Sequence, residues 1–363
     1  MLGGPEMKIV IRLATVLLAV VVSVVLGLLV WRAWTQHHVA GELRISSPNG
    51  IDEGKFIRIN GQDEWITIRG EDRSKPIILF LHGGPSEANS EFPRLYQPFE
   101  QDFVFVQWDQ PGAGKTWIRA GKHQPALTLD GMTADGVQVA DYVRHELHQP
   151  KVILIGQDWG SLLGVRMAQM RPDLFQAFVG TSQLVSWVGE QDPQYAYTLR
   201  LATAAHDQKA LDALAKIGPP PYRSLAAYRA FGEVFERYKP ADDIKAETQL
   251  RAWLVMSPGL TLPGMAGWVR SLRTGEETLT PVMMTTDLRR MDTRFQVPVY
   301  FIDGADSIIC PPSLVADYMS KIQAPAKRLD LIPGAAHMVM WQHTDAFLKV
   351  LRQDLGMGTA PSS

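Results

Sequence analysis

The chain has 363 residues, a formal net charge of −2 at pH 7 and a single cysteine, Cys310. Near-neutral charge, with no basic run after the N-terminus, argues against nucleic acid or another polyanion as a partner. One cysteine cannot form an internal disulfide, and no Cys/His spacing is typical of a zinc site. We therefore expect neither a metal nor another cofactor.

The first apolar stretch of the chain is long enough to cross a membrane. Leu13 to Trp31 is uncharged and rich in Val and Leu, and its length of about 19 residues suits one span. No small-x-small cleavage site follows it, which favours an uncleaved single-pass anchor over residues 1–38. The numbers of positively charged residues before and after the span are nearly equal. We expect the catalytic part to lie on the extracytoplasmic side.

The segments after the anchor predict an α/β sheet. Two alternating segments around Asn60-Gly61 predict an antiparallel hairpin, and continuous apolar runs then predict parallel strands that are covered on both faces. Predicted helices come between the later strands, which is typical of an α/β architecture. The predicted strands are 56–59, 65–68, 77–81, 103–108, 152–155, 177–180, 299–302 and 329–332, and the predicted helices are 132–147, 161–170 and 346–355.

Strand signals are absent from the sequence between residues 187 and 295. Helical stretches rich in Ala and Leu are interrupted there by Pro219-Pro220-Pro221 and Pro258-Gly259. We interpret 187–295 as a helical cap inserted into an α/β core of residues 39–186 and 296–363. We expect the cap to cover the site.

The candidate nucleophile lies in Gly156-Gln157-Asp158-Trp159-Gly160, directly after an apolar strand. A strand that turns at once into a helix bends so sharply that the flanking residues must be small, and the middle residue is exposed at the tip. That residue is usually serine, which attacks a carbonyl carbon. A carboxylate attacks saturated carbon instead and becomes an alkyl ester, so Asp158 predicts a different reaction.

The order of residues along the chain supplies the other catalytic candidates. A nucleophile, an acid and a histidine are expected in that order in such a sheet. His337 follows the last predicted strand in a short loop that contains glycine, and Asp306 is the predicted acid, with Asp303 as the alternative. We expect His337 to activate water.

Two loops beside these candidates are rich in glycine. In His82-Gly83-Gly84-Pro85, the N–H groups of Gly83 and Gly84 are predicted to form an oxyanion hole together with that of Trp159. The segment 108–116 has the appearance of a phosphate loop, but Asp109 stands where the first glycine is required. We interpret it as a turn beside the active site.

From about residue 50 onwards the chain resembles the α/β-hydrolase superfamily. His-Gly-Gly-Pro at 82–85 and the segment 108–116 are most similar to the proline iminopeptidase branch, whose members carry serine at the turn. Asp-Trp-Gly at 158–160 is instead similar to epoxide hydrolases and haloalkane dehalogenases, in which the nucleophile is an aspartate followed by tryptophan. The family's acid position, three residues after a glycine and four before a proline, is occupied here by Ser307.

The resemblance implies a hydrolase that acts through a covalent ester on Asp158, similar to an epoxide hydrolase, on an apolar small molecule. A proline iminopeptidase-like peptidase or an esterase is the alternative, and a non-catalytic, membrane-tethered binding protein is another. Opening of an epoxide requires a proton donor, and five cap tyrosines are candidates. These are Tyr195, Tyr197, Tyr222, Tyr228 and Tyr238.

Aromatic residues of the cap predict an apolar substrate pocket. We expect Trp187 and Tyr195 to contact the substrate, with Trp253 and Trp268 in or near the pocket.

Overall fold

The structure is a computed structural model, and it describes residues 4–357. The outer ends of the predicted anchor, residues 1–3, and of the predicted core, residues 358–363, lie outside the described residues.

One eight-stranded sheet forms the centre of the molecule, in the order β1-β2-β4-β3-β5-β6-β7-β8. Strand β2 is antiparallel to both of its neighbours, and all other pairs are parallel. The α/β-hydrolase fold is thereby confirmed. The strands are β1 Ile51–Ile59, β2 Gln62–Gly70, β3 Ile77–Leu81, β4 Val104–Asp109, β5 Val152–Asp158, β6 Phe175–Gln183, β7 Val299–Gly304 and β8 Lys327–Ile332.

Helices cover both faces of this sheet, and more of them form than the sequence predicted. The three predicted helices of the core correspond to α4, α5 and α13, whereas α2, α3, α11 and α12 were not expected. The helices are α1 Gly4–Glu42, α2 Pro93–Tyr96, α3 Gly114–Ala120, α4 Leu129–Glu146, α5 Trp159–Met170, α6 Trp187–Ala204, α7 Gln208–Ile217, α8 Leu225–Phe235, α9 Ala241–Met256, α10 Leu262–Thr285, α11 Pro312–Lys321, α12 Val339–Gln342 and α13 Thr344–Asp354.

The central strands divide the core into two apolar clusters. On β3, Leu79 and Leu81 belong to one cluster and Ile78 and Phe80 to the other, and all four side chains are buried. Side chains of a strand alternate between the faces of a sheet. A strand covered on both faces must therefore be apolar throughout, which explains the continuous apolar run in the sequence.

The cap consists of the five helices α6 to α10 between β6 and β7. It is hydrogen-bonded to loops that follow three different strands. The Trp268 indole N–H donates to Ala88 O at 2.9 Å, the Gln194 amide to Ile309 O at 3.1 Å, and the His337 N–H to Asp243 Oδ1 at 2.9 Å. Because these loops leave the carboxyl ends of β3, β7 and β8, the cap covers the edge of the sheet where ligands bind in such folds.

Helix α1 is long and apolar enough for a membrane anchor or a signal sequence. Its side chains from Met7 to Trp31 are exposed, whereas Val39 and Leu43 at its far end are buried against the rest of the protein. The helix therefore has an unpartnered apolar part and a part that packs on the folded core and cap.

Candidate active site

The turn between β5 and α5 has the sharp geometry that the sequence predicted. Asp158 adopts a φ of 49°, a left-handed conformation that residues other than glycine seldom adopt. A Cβ on Gly160 would stand 2.1 Å from Leu81 O, and one on Gly156 would stand 2.4 Å from Gly160 O. Only glycine fits at both flanking positions, and strain of this kind is typical of functional sites.

The two oxygens of the Asp158 carboxylate have different surroundings. Oδ2 accepts a hydrogen bond from the Gly84 N–H at 3.1 Å, whereas no hydrogen bond to Oδ1 is found among the described residues. Burial raises the pKa of Asp158 to about 6, and the N–H groups of Gly84 and Trp159 oppose that rise. The side chain is nevertheless partly exposed. One carboxylate oxygen is thus held by the loop that was predicted to form the oxyanion hole.

A buried network fixes the oxyanion loop against this turn. The Trp159 indole N–H donates to Gln110 Oε1 at 3.0 Å, and the Gln110 amide donates to His82 O at 3.0 Å. Both ring nitrogens of His82 contact backbone groups, and burial lowers its pKa to about 4, so the ring is neutral. Sequence reasoning placed the Gln110 loop beside the site but missed this role of its side chain.

Gly83 lies at the back of the same site. A Cβ on Gly83 would stand 3.0 Å from the Asp158 Cβ, and Gly84 has a φ of 114°. The structure therefore brings together Gly83, Gly84, Trp159 and the nucleophile candidate, as the sequence predicted. Ser161 lies outside this group, because its hydroxyl is buried and donates to Asp158 O at 2.6 Å.

His337 lies in the loop after β8, next to the turn that carries Asp158. Gln157, which precedes Asp158 in the chain, contacts Met338, which follows His337, with 3.5 Å between the Gln157 amide nitrogen and Met338 Sδ. The imidazole is buried, burial lowers its pKa to about 4, and Nδ1 has no hydrogen-bond partner among the described residues. A neutral imidazole is the form that can accept a proton from water.

The two candidate acids lie in different surroundings. Asp303 is buried at the end of β7, and its Oδ1 accepts from the Gln183 N–H at 3.2 Å while Oδ2 is unpaired. Burial raises the pKa of Asp303 to about 7. Asp306 is exposed, because β7 ends at Gly304 and the chain turns outward there. The geometry therefore supports the alternative, Asp303, and places Asp306 outside the site.

Ser182 connects the buried acid to the histidine. Its hydroxyl donates to His337 O, and the Ser182 and Gln183 N–H groups lower the pKa of Asp303. Two buried atoms without partners, Asp303 Oδ2 and His337 Nδ1, thus belong to residues that are both bonded to the end of β6. Buried orphan atoms of this kind are rare in native proteins and point to a role in function.

A cavity of about 620 Å³ opens between core and cap beside the oxyanion loop. Gly84 and Glu87 line it from the core, and Trp187 and Tyr228 line it from the cap, with ring centroids 4.6 Å apart. A second cavity of about 300 Å³ shares Glu87 and includes Met338. Both cavities thus adjoin the catalytic candidates.

Among the predicted aromatic contacts, Trp187 lines the cavity and Tyr195 does not. Tyr195 packs on Phe231 in the core of the cap, because its position on α6 faces the other cap helices. Trp268 lines the smaller cavity, whereas Trp253 lines a crevice beside α1.

Tyr228 is the candidate proton donor that the structure places at the cavity. Burial and the negative charge of Asp158 raise its pKa, which keeps the phenol protonated. The hydroxyl groups of Tyr222 and Tyr238 instead donate to Gly218 O at 3.1 Å and to Asp207 Oδ2 at 2.8 Å, and Tyr197 lies against Arg200.

Two further carboxyl groups stand near the nucleophile and were missed by sequence reasoning. Burial, together with the charge of Asp158, raises the pKa of Glu87 to about 7 and that of Glu190 well above its ordinary value. The first follows the His-Gly-Gly-Pro motif by two residues, which was the available signal. Nothing in the sequence distinguished Glu190 from an ordinary exposed residue of an amphipathic helix.

Residues 72–343 match the family described as serine aminopeptidase, S33. The chain belongs to this family of α/β hydrolases, and it is a hydrolase of the proline iminopeptidase-like branch. The family match covers the sheet from just before β3 to α12, and so includes every catalytic candidate and the whole cap.

Curated relatives and solved structures agree with this assignment. The chain is 27% identical over 301 residues to a probable aminopeptidase, YbaC, of Bacillus subtilis, with 82% of this chain and 94% of the relative covered. It is 25% identical over 308 residues to the proline iminopeptidase of Lactobacillus helveticus, with 84% and 97% covered.

Two solved structures share the fold. A proline iminopeptidase-related protein from Thermus thermophilus superposes with a TM-score of 0.58 and 17% identity, over 85% of this chain and 98% of that one. An epoxide hydrolase from metagenomes of hot environments superposes with a TM-score of 0.53 and 16% identity, over 84% of this chain and 99% of that one.

Proposed function

We propose that this hydrolase opens a strained or activated C–O bond at saturated carbon, as epoxide hydrolases do, through an alkyl ester on Asp158. The observation that carries the proposal is the asymmetry of the Asp158 carboxylate. Oδ2 accepts from the Gly84 N–H, and no hydrogen bond to Oδ1 is found among the described residues. A carboxylate held in this way presents one oxygen for attack and keeps the other in the oxyanion hole.

In the first step, Asp158 Oδ1 attacks an epoxide carbon and the ring C–O bond breaks. The alkoxide that leaves takes a proton from Tyr228, which lines the cavity and stays protonated at neutral pH. The product of this step is a hydroxyalkyl ester, whose carbonyl oxygen is Oδ2.

In the second step, water attacks the carbonyl carbon of this ester. Neutral His337 takes a proton from the water, and the developing charge on Oδ2 is stabilised by the N–H groups of Gly84 and Trp159. The acyl C–O bond to Oδ1 then breaks, the imidazolium of His337 protonates the departing alkoxide to give the diol, and the new carboxyl group returns its proton to the Tyr228 phenolate. Asp303, whose Oδ2 is unpaired, is positioned near Ser182 to stabilise the imidazolium that forms.

The cavity walls support an apolar substrate. Helix α1 supports a location at a membrane. Trp187, Val269 and Leu272 form an apolar part of the wall of the larger cavity, and apolar walls suit apolar ligands. We propose that α1 anchors the protein to a membrane, with the catalytic part on the extracytoplasmic side.

An aminopeptidase-like activity is the second candidate. The relatives' names support it, and so do the carboxyl groups of Glu87, Glu236 and Glu276 around the larger cavity, which suit a cationic amine. Attack of Asp158 on an amide would form a mixed anhydride, a less stable acyl-enzyme than a serine ester. For this reason we place ester formation at saturated carbon first.

Single-turnover labelling distinguishes these candidates. The full-length protein, in excess over an apolar epoxide or a proline amide, is allowed to react in heavy-oxygen water and then analysed by peptide mass spectrometry. Because water attacks the carbonyl carbon of the ester, label should enter the Asp158 carboxylate with the epoxide. Turnover of the proline amide without label at Asp158 would favour the aminopeptidase instead.

A His337→Gln variant tests the second step. Attack by Asp158 should survive and ester hydrolysis should stall, so the covalent adduct should accumulate and be seen in the intact mass. His123→Gln, at an exposed position, is the matched control and should turn over normally. If neither variant reacts with any substrate while the fold is kept, a non-catalytic binding protein becomes the better interpretation.

A further inference from the structure

The end of helix α1 is bonded to the connection between two cap helices. Side chains of Arg32 and Gln36 donate to Leu260 O, and Gln36 also donates to Ser257 O. Arg32 follows directly after the apolar stretch that would span a membrane. The connection from α9 to α10 is therefore held within about one helical turn of the point where α1 leaves the span.

The first half of α10 presents an apolar stripe to solvent. Leu262 and Val269 are 47% and 53% exposed, and Ala266 between them is exposed as well. Spacings of four and three residues place these side chains on one face of the helix. Arg270 and Arg273 extend the exposed surface at its far end. No described residue covers this stripe, which we call the α10 stripe (Leu262, Ala266 and Val269).

The same helix leads to the larger cavity. Val269, Leu272 and Arg273 line it together with Gly84, whose N–H binds Asp158. From Leu262 to Leu272 is about 15 Å along the helix axis. A single helix thus runs from the end of the span to the wall of the cavity beside the nucleophile.

We infer that the α10 stripe lies in the surface of a phospholipid bilayer beside the anchor, and that apolar substrates enter the cavity from the lipid along it. The inference rests on the proposed anchor and names the source of the substrate. Trp31 and Trp34 are exposed at the end of the span, where tryptophan favours the membrane interface. Arg270 and Arg273 are placed to meet lipid phosphates while the apolar residues insert.

Fluorescent labels test the location without any chemistry at Asp158. Single cysteines are introduced in the full-length protein as Leu262→Cys and Val269→Cys, and the native Cys310 is buried and reacts little. Labelled protein is reconstituted into phosphatidylcholine vesicles with a minority of phosphatidylglycerol, with or without acyl-chain nitroxides. Labels at both positions should be quenched by the nitroxide lipids.

Two matched labels make the result decisive. Met170→Cys, at a core residue that is 46% exposed, should be quenched little, and Val20→Cys in the span should be quenched strongly. If the labels at 262 and 269 are quenched no more than the one at 170, the inference is overturned. Loss of quenching at 20 as well would overturn it together with the anchor, whereas a failure of the Asp158 chemistry would leave all four results unchanged.

Kinetics test the route of entry. Leu262→Glu should raise the KM for an epoxide dissolved in the same vesicles by about tenfold, since a charge at this position weakens interfacial insertion. The KM for a short water-soluble epoxide should stay unchanged, because Leu262 does not line the cavity. Met170→Glu is the control, and an equal effect of both variants on the vesicle substrate would overturn the inference.

Discussion

Two halves of the candidate site differ in how many of their buried polar atoms are hydrogen-bonded. In the elbow half, which we define as Gly84, Gln110, Asp158 and Trp159, the supporting side chains are buried and bonded to one another within the core. In the histidine half, defined as Ser182, Asp243, Asp303 and His337, three buried polar atoms lack partners among the described residues. They are Asp243 Oδ2, Asp303 Oδ2 and His337 Nδ1. The first half thus has its polar side chains bonded within the core, whereas the second retains capacity for new hydrogen bonds.

The cap contributes to one half and not to the other. Asp243, at the start of α9, accepts from the backbone N–H groups of His337 at 2.9 Å and Met338 at 3.3 Å. The network of Gln110 and Trp159 contains no cap residue. The hydrogen bonds that hold Asp158 and Trp159 thus come from the core, whereas the loop of His337 is also held by the cap.

The largest expected effect concerns the acid of the histidine half. Asp303→Asn should slow turnover by about 10³-fold, since the imidazolium then loses its negative partner. Asp306→Asn, at an exposed position, should change turnover less than about twofold. Steady-state kinetics with the labelled adduct as a second readout would measure both. Equal losses in the two variants would remove the distinction between the acids.

Within the elbow half, Gln110→Leu should lower the free energy of unfolding by about 2–6 kcal/mol. The change leaves the Trp159 indole N–H and His82 O buried without partners, at about 1–3 kcal/mol each. Gln138→Leu, exposed on α4, should cost less than about 0.5 kcal/mol. Denaturant unfolding of both variants is the measurement, and similar midpoints would show that the network does not stabilise this half.

The contribution of the cap should be smaller. Asp243→Ala should lower kcat about tenfold, because the loop of His337 loses two hydrogen bonds worth roughly 1 kcal/mol together in positioning. Asp243→Asn retains the acceptor oxygen and should restore most of the activity. A variant that merely weakens folding would not show this rescue. If Asn and Ala behave alike, the hydrogen bonds do not position the histidine.

The pH dependence of the reaction should report the titration of Asp158 and not that of His337. The pKa of Asp158 is raised to about 6 and that of His337 is lowered to about 4. Below pH 6 the nucleophile is protonated and cannot attack, while His337 stays neutral until far lower pH. The rate of adduct formation in His337→Gln should therefore fall tenfold per pH unit below about 6. A limb near pH 4 would assign the titration elsewhere.

Much of the architecture was predictable because it depends on local pattern. Continuous apolar runs predicted the buried strands β3, β4 and β5, and the glycines around Asp158 predicted the sharp turn. The sequence favoured Asp306 over Asp303, and it did not show that Asp306 is exposed and Asp303 buried, because burial depends on where β7 ends and which side of the turn faces the core. Glu190 was missed for a similar reason, since its burial results from packing between cap and core.

The sequence by itself determined the sheet, the insertion point of the cap and the chemical type of the residue at the turn, because each follows from periodicity or from the steric demands of neighbouring residues. Only the tertiary structure decided which candidate acid is buried, which tyrosine lines the cavity and where α1 contacts the cap. Those outcomes depend on contacts between residues far apart in the chain, which local sequence pattern does not predict.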